Sequence, residues 1–121
     1  MKLKKVVEFE VDDKIAESII KLNNKGYETA MCCSGHPDEE EIIPYVMFNR
    51  FVSCRIEYIP FSWVVDKNYK ELVIRRFFTD EEKEIFTKEQ LIDIAAKELD
   101  NWVDSLSEFK NPYQIMRTEV I

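Results

Sequence analysis

The residue types that carry most protein chemistry are concentrated in one short segment of this chain. Residues 26–37 hold both glycines, the only histidine and two of the three cysteines. Cysteine and histidine bind metals or act as nucleophile and base, and glycine lets a backbone turn sharply. We therefore expect any functional site at the sequence Cys32-Cys33-Ser34-Gly35-His36.

Two kinds of reactive site are compatible with these residues. The spacing Cys33-x-x-His36 suits a metal ion, and Cys32, Cys54 or an acid from the run 38–41 would complete a tetrahedron. Alternatively, the His36 imidazole would help to form a nucleophilic Cys33 thiolate. Neither hypothesis is complete, because the sequence contains no second Cys-x-x-Cys or His-x-x-His pair and identifies no third residue to orient the histidine.

A third hypothesis is a ligand-binding turn without covalent chemistry. The Ser34 hydroxyl, the His36 imidazole and the backbone N–H groups near Gly35 suit a phosphate or a carboxylate. The turn follows a strand that we expect to be parallel, and open α/β sheets bind ligands at such strand ends. The candidates for the wall of this site are Tyr45, Arg50, Arg55, Trp63 and Arg75; the predicted ligand-binding set is Cys32, Cys33, Ser34, Gly35, His36, Arg55 and Arg75. The competing interpretation is purely structural, because cysteine is among the most buried residue types.

The segments before the turn predict a strand, a helix and a second strand. Residues 3–11 alternate between apolar and polar side chains, which is typical of a half-buried strand. Asp12-Asp13 then caps a helix with an apolar stripe, and Gly26 ends it. The apolar run 27–33 forms the second strand. This order predicts a right-handed βαβ unit with two parallel strands.

Strand geometry separates the two neighbouring cysteines. Successive side chains of an extended strand point to opposite faces. Cys33 is therefore expected on the same face as Thr29 and Met31, and Cys32 on the opposite face. This leaves Cys33 and His36 as the pair that the turn could bring together.

The rest of the chain completes an α+β fold. Residues 44–49 predict a third strand, and 61–66 and 71–78 predict a β-hairpin around a turn. Thr87-x-x-Gln90 forms a capping box for a last helix that extends to about residue 108. We expect one domain over residues 1–121: a mixed β-sheet that starts with a βαβ unit and gains a hairpin, with two helices packed on it.

Composition narrows the class of protein. The chain has 24 acidic and 17 basic side chains, and a net charge of −7 disfavours nucleic acid as a partner. No apolar run is long enough for a membrane-spanning helix, so we expect no membrane partner. The missing signal-peptide pattern and the odd cysteine number predict a soluble, cytoplasmic protein with reduced thiols. The aromatic-rich hairpin favours an exposed apolar patch and hence a homodimer.

The segment Gly26-Tyr27-x-Thr29-x-x-Cys32-Cys33-Ser34-Gly35-His36, followed by Tyr45-Val46-x-Phe48, resembles a family of small uncharacterised proteins of Gram-positive bacteria and their phages. That family carries a Gly-Tyr-x-Thr stretch, a Cys-Cys-x-Gly-His turn and a following Tyr-Ile-x-Phe strand. The resemblance extends through Pro60-Phe61-Ser62-Trp63 to the last helix. It implies a shared fold and no particular activity.

A shorter segment, Cys33-Ser34-Gly35, is similar to the Ser-x-Cys-Ser-Gly-Arg turn of the wybutosine-synthesis methyltransferases. This similarity implies an S-adenosylmethionine-dependent enzyme that modifies a tRNA guanosine. His36 stands where that family has arginine, and the net charge of −7 suits a tRNA poorly.

Taken together, the residues favour a small binding or accessory protein with an anionic ligand at the turn. The residues themselves name no cofactor. Two alternatives stay open. One is an enzyme of the methyltransferase or thiol-dependent type at the same turn, and the other is a zinc-binding structural protein.

Overall fold

The computed structural model describes residues 14–49, 52 and 56–108. Three helices and four strands lie in this part of the chain. In chain order they are α1 (Ala16–Asn24), β1 (Thr29–Cys33), β2 (Tyr45–Phe48), β3 (Val64–Val65), β4 (Val73–Arg75), α2 (Asp80–Ile85) and α3 (Lys88–Ser105). The α+β class is confirmed, with helices packed on a sheet.

The end of α1 follows the prediction made from Gly26. The Tyr27 N–H donates to the Leu22 carbonyl (2.9 Å), and the Gly26 N–H donates to the Asn23 carbonyl (3.1 Å). Gly26 has a φ of 98°, which is the left-handed conformation that closes a Schellman motif. The start of α1 is less well fixed, because Ile15 at the N-cap offers no side-chain hydrogen bond. The predicted caps, Asp12-Asp13, lie outside the described residues.

The described strands form one sheet in the order β1-β2-β4-β3, and each neighbouring pair is antiparallel. The predicted third strand and the predicted hairpin are both present, as β2 and as β3 with β4. The predicted strand 3–11 lies outside the described residues, so the parallel pair of the βαβ unit stays a prediction.

A β-bulge in β1 changes which side chains share a face. Thr29 pairs with Phe48, Met31 with Met47, and the register shifts between Thr29 and Met31. The extra residue reverses the alternation at that point. Thr29 is therefore buried on the same side as the core residue Phe48, while Met31 is 52% exposed. The expectation that Thr29 shares a face with Met31 and Cys33 is wrong, because simple alternation cannot anticipate an inserted residue.

Helices α1 and α3 cover one face of the sheet. Ile19 and Leu22 of α1 and Leu99 of α3 are completely buried in one core with Phe48 of β2. The polar contacts between the helices keep the same order along both: Lys14 with Asp93, Ser18 with Asp100, and Lys21 with Asp104. The two helices therefore run in the same direction, and both begin at the same end of the molecule.

The short helix α2 was not expected from the sequence. Thr79 at its N-cap accepts from the Glu82 N–H (3.1 Å), and the Glu82 carboxylate accepts from the Thr79 N–H (2.8 Å). This capping box was visible in the sequence as Thr79-x-x-Glu82. Helix α2 buries none of its residues, so it has no apolar stripe for periodicity to detect.

Among the described residues, the helices are too short or too polar to cross a bilayer.

Candidate ligand-binding site

A cavity of about 200 Å³ lies at the turn after β1. It is bounded by three parts of the chain: the turn itself, the residue shortly before α1, and the first turns of α3. The described residues that line it are Lys14, Ser34, Gly35, His36, Pro37, Glu89 and Ile92. Three residues of the predicted ligand-binding set, Ser34, Gly35 and His36, are therefore brought together at one cavity.

Gly35, one of the lining residues, could not be replaced without strain. This residue has a φ of 90°, and a Cβ built on it would lie 2.7 Å from Cγ2 of Ile42. A side chain at this position would meet both backbone strain and a steric clash. The neighbouring Ser34 is 3% exposed, and its hydroxyl donates to the Gly35 carbonyl at 3.3 Å. The Gly35 N–H is directed at the Cys33 sulfur, a weak acceptor, at 3.4 Å.

The outer wall of the cavity starts at His36, which is exposed, as is Pro37. The Glu39 N–H donates to the His36 carbonyl at 3.0 Å and closes a turn. The loop is then held against the helices, because Lys83 pairs with the Glu41 carboxylate at 3.0 Å and the Lys88 ammonium donates to the Glu39 carbonyl. These contacts fix the acidic run 38–41 as a loop beside the cavity.

The charged groups at the cavity have both signs. The Lys14 ammonium lies 2.9 Å from Asp93, and both side chains are 59% exposed. Glu89 stands in the first turn of α3, where a carboxylate suits the helix dipole. Because α1 and α3 begin at this end, the positive ends of two helix dipoles also lie here.

The two cysteines lie beside this cavity and are not among its lining residues. Cys32 pairs with Val46 and packs against the core. Cys33 pairs with Tyr45, so it lies on the opposite face of the sheet. The predicted separation of the two thiols is confirmed. His36 borders the cavity and Cys33 does not, so the predicted pair of Cys33 and His36 does not meet at the cavity.

Arg75 lies on the sheet face that also carries Cys33, because Tyr45 pairs with both residues. Its guanidinium stands 4.9 Å from the centre of the Tyr45 ring and 5.9 Å from that of Tyr69. Its Nε donates to Asp66 at 2.6 Å. Arg75 is therefore engaged within the sheet and does not line the cavity, and two strand spacings of about 4.8 Å separate it from Cys33.

These contacts shift two titrations on that face. The hydrogen bond from Arg75 holds the pKa of Asp66 below its ordinary value. Burial, followed by the nearby Cys33, raises the pKa of the Tyr45 phenol. Asp66 is therefore ionised and Tyr45 neutral at neutral pH. This face of the sheet holds an Arg75–Asp66 ion pair, with Tyr45 and Tyr69 beside the guanidinium.

The remaining candidates have different positions. Trp63 is buried, and its indole N–H donates to Glu98 at 3.1 Å, away from the turn. Cys54, Arg50 and Arg55 lie outside the described residues. Within residues 14–49, 52 and 56–108, no three Cys, His, Asp or Glu side chains come together as a metal-binding group.

Four lining residues were not among those predicted for the site: Lys14, Pro37, Glu89 and Ile92. Lys14 and Glu89 are 75 positions apart along the chain, and neither belongs to a recognisable motif. The available signal was that each stands near the start of a helix. The N-terminal ends of α1 and α3 meet at the cavity only because the two helices pack parallel to each other.

The chain matches no protein-family model, and neither a curated protein nor a solved structure matches it. The resemblances drawn from the sequence therefore stay predictions. The class of this protein rests on its α+β fold and on the cavity at the turn.

Proposed function

We propose that this protein is a small cytoplasmic binding or accessory protein, and that its cavity at the turn holds a small molecule with a negatively charged group. The observation that carries the proposal is the lining of the cavity. Lys14 and His36 border it together with the Ser34-Gly35 backbone. It is a preformed concave surface with convergent polar groups, as small-molecule sites usually are.

The size of the cavity favours a small ligand. Ligand pockets for drug-sized molecules measure about 300–1,000 Å³, and this one measures about 200 Å³. A simple carboxylate such as acetate is small enough for this space.

The sign of the ligand charge follows from the helix arrangement. Each helix start carries the equivalent of about half a positive charge, and anions bind at such ends. Two helices start beside this cavity, and the Lys14 ammonium adds a donor with further hydrogens beyond its bond to Asp93. These local groups favour an anionic group at the turn, although the chain as a whole carries a charge of −7.

Binding is favoured over catalysis at this site. A Cys-His mechanism needs the thiol and the imidazole in contact with one substrate. Cys33 lies on the sheet face beside Tyr45, and His36 borders the cavity. The thiol-dependent and methyltransferase alternatives therefore gain no support from the lining of the cavity.

A titration with sodium acetate tests the proposal. We expect acetate to shift the backbone amide signals of Ser34 and Gly35 in ¹⁵N-labelled protein, with sodium chloride at equal ionic strength as the blank. The Lys14 side chain is 59% exposed, and exposed charges contribute little to binding. The substitution Lys14→Met should therefore weaken acetate binding by only about two- to fivefold.

The matched control is Lys97→Met, which removes an equal charge from an exposed position farther along α3. This variant should bind acetate as the parent protein does. Amide signals at the turn that do not move with acetate, or equal losses in the two variants, would contradict the proposal.

A further inference from the structure

The lining of the cavity at the turn includes Lys14 and Glu89, whose side chains carry opposite charges. The Lys14 ammonium and the Glu89 carboxylate do not form an ion pair with each other. Lys14 pairs instead with Asp93 at 2.9 Å. In the described part of the chain no hydrogen bond or ion pair engages the Glu89 carboxylate, so it can accept bonds from a ligand.

The Glu89 carboxylate disfavours the binding of a simple anion. A carboxylate ligand between Lys14 and Glu89 would be attracted by one residue and repelled by the other. Asp93 already neutralises part of the Lys14 charge. A ligand that carries a positive group on its other end would turn the repulsion from Glu89 into attraction. A purely cationic ligand, in contrast, would meet Lys14 and the positive ends of two helices.

From these charges we infer that the ligand is a small zwitterion of the free amino-acid type. This inference rests on the proposed function. The ligand carboxylate lies towards Lys14 and His36, and its ammonium lies towards Glu89. Ile92 and Pro37 provide an apolar surface for a short side chain. The volume of about 200 Å³ suits a small side chain.

A comparison of three probes tests the inference: L-alanine, acetate and methylammonium chloride, each titrated into ¹⁵N-labelled protein at constant ionic strength. We expect alanine to move the amide signals of Gly35 and Glu89 at concentrations at least threefold lower than acetate does. Methylammonium should bind more weakly than either. This order follows because only alanine satisfies charges of both signs.

The variant Glu89→Gln separates this inference from the proposed function. It should remove the preference for alanine over acetate and leave acetate binding equal or tighter. Glu84→Gln, an exposed glutamate on α2, is the matched control and should keep the preference.

Equal affinities for alanine and acetate in the parent protein would overturn the inference of a zwitterionic ligand. The proposed anion site would then still stand. A preference for alanine that persists in Glu89→Gln would remove Glu89 from the site. Tightest binding of methylammonium would overturn the inference and the proposed function together.

Discussion

Gly35 is the residue on which the shape of the turn depends most directly. Its φ of 90° and the 2.7 Å between a built Cβ and Ile42 leave no room for another amino acid. Gly26 also has a positive φ, of 98°, but it stands at a helix end. There the backbone needs a residue that tolerates the left-handed conformation, and no close contact adds to this requirement. The two glycines therefore differ in what they tolerate.

We expect Gly35→Ala to lower the free energy of unfolding by about 2–3 kcal/mol, because strain and overpacking add. Gly26→Ala should cost only about 1 kcal/mol, since strain acts there without the clash. Urea unfolding of both variants measures the two values. A Gly35→Ala variant as stable as Gly26→Ala would mean that Ile42 moves aside.

Among the helices, the C-terminal end of α1 stabilises the C-terminal end of α3. The last turn of α3 has no basic residue of its own. Lys25, just after α1, donates to the carbonyls of Val103 and Leu106 at 2.7 and 2.8 Å. A cation from one helix thus satisfies the exposed carbonyls and the negative dipole end of the other.

Replacement of Lys25 by methionine should therefore lower the free energy of unfolding by about 1–2 kcal/mol, the range of hydrogen bonds to charged groups. Amide hydrogen exchange in the last turn of α3 should speed up in the same variant. The Lys97→Met variant, with the same change of charge on the exposed face of α3, should show neither effect. Unchanged exchange at Val103 in Lys25→Met would contradict the capping role.

At the scale of the whole molecule, Arg76 joins the sheet to two helices. It is 3% exposed, and it contacts Glu82 of α2 at 3.0 Å and Glu98 of α3 at 2.8 Å. Its guanidinium also lies 4.5 Å from the centre of the Phe78 ring. Since α2 buries none of its residues, these ionic contacts rather than apolar packing hold it in place.

The hydrogen bond from Arg76 holds the pKa of Glu82 below its ordinary value of 4.5. A lowered folded-state pKa means that the unfolded chain takes up the proton first as the pH falls. This contribution to stability is therefore complete above the ordinary value and is lost as the pH falls through the folded-state pKa.

Arg76→Met should lower the free energy of unfolding by about 2–3 kcal/mol at neutral pH, because it removes the guanidinium that pairs with two partly buried carboxylates. The loss should shrink as the pH falls below 4.5, the ordinary pKa of Glu82, and through the lowered folded-state pKa of this group. Urea unfolding across this pH range measures both effects, with Lys97→Met as the control. A loss that stays the same in acid would show that Arg76 acts by packing alone.

The homodimer expected from the hairpin stays a prediction at this scale. Phe61 is 86% exposed, and Val64 and Val65 of β3 are 46% and 41% exposed. β3 also stands at an edge of the described sheet. Light scattering gives the mass directly, and a monomer mass would remove the homodimer.

Features that depend on residues close together in the chain were predictable from the sequence. The Gly26 stop, the capping box at Thr87 and the hairpin are each produced by a few adjacent residues, so their patterns predicted them. The capping box at Thr79 was equally local and could have been found. The separation of Cys32 from Cys33 also held, because it needs only two successive positions of a strand.

The residues around the turn, in contrast, are brought there by long-range packing. The bulge in β1 reversed the face of Thr29, and the parallel packing of α1 and α3 brought Lys14 and Glu89 to His36. Strand pairing and helix packing are set by the burial of apolar faces far apart in sequence, and no local spacing encodes which polar residues that burial brings together. The segment that contains the reactive residue types was therefore visible in the sequence, but its partners across the cavity were not.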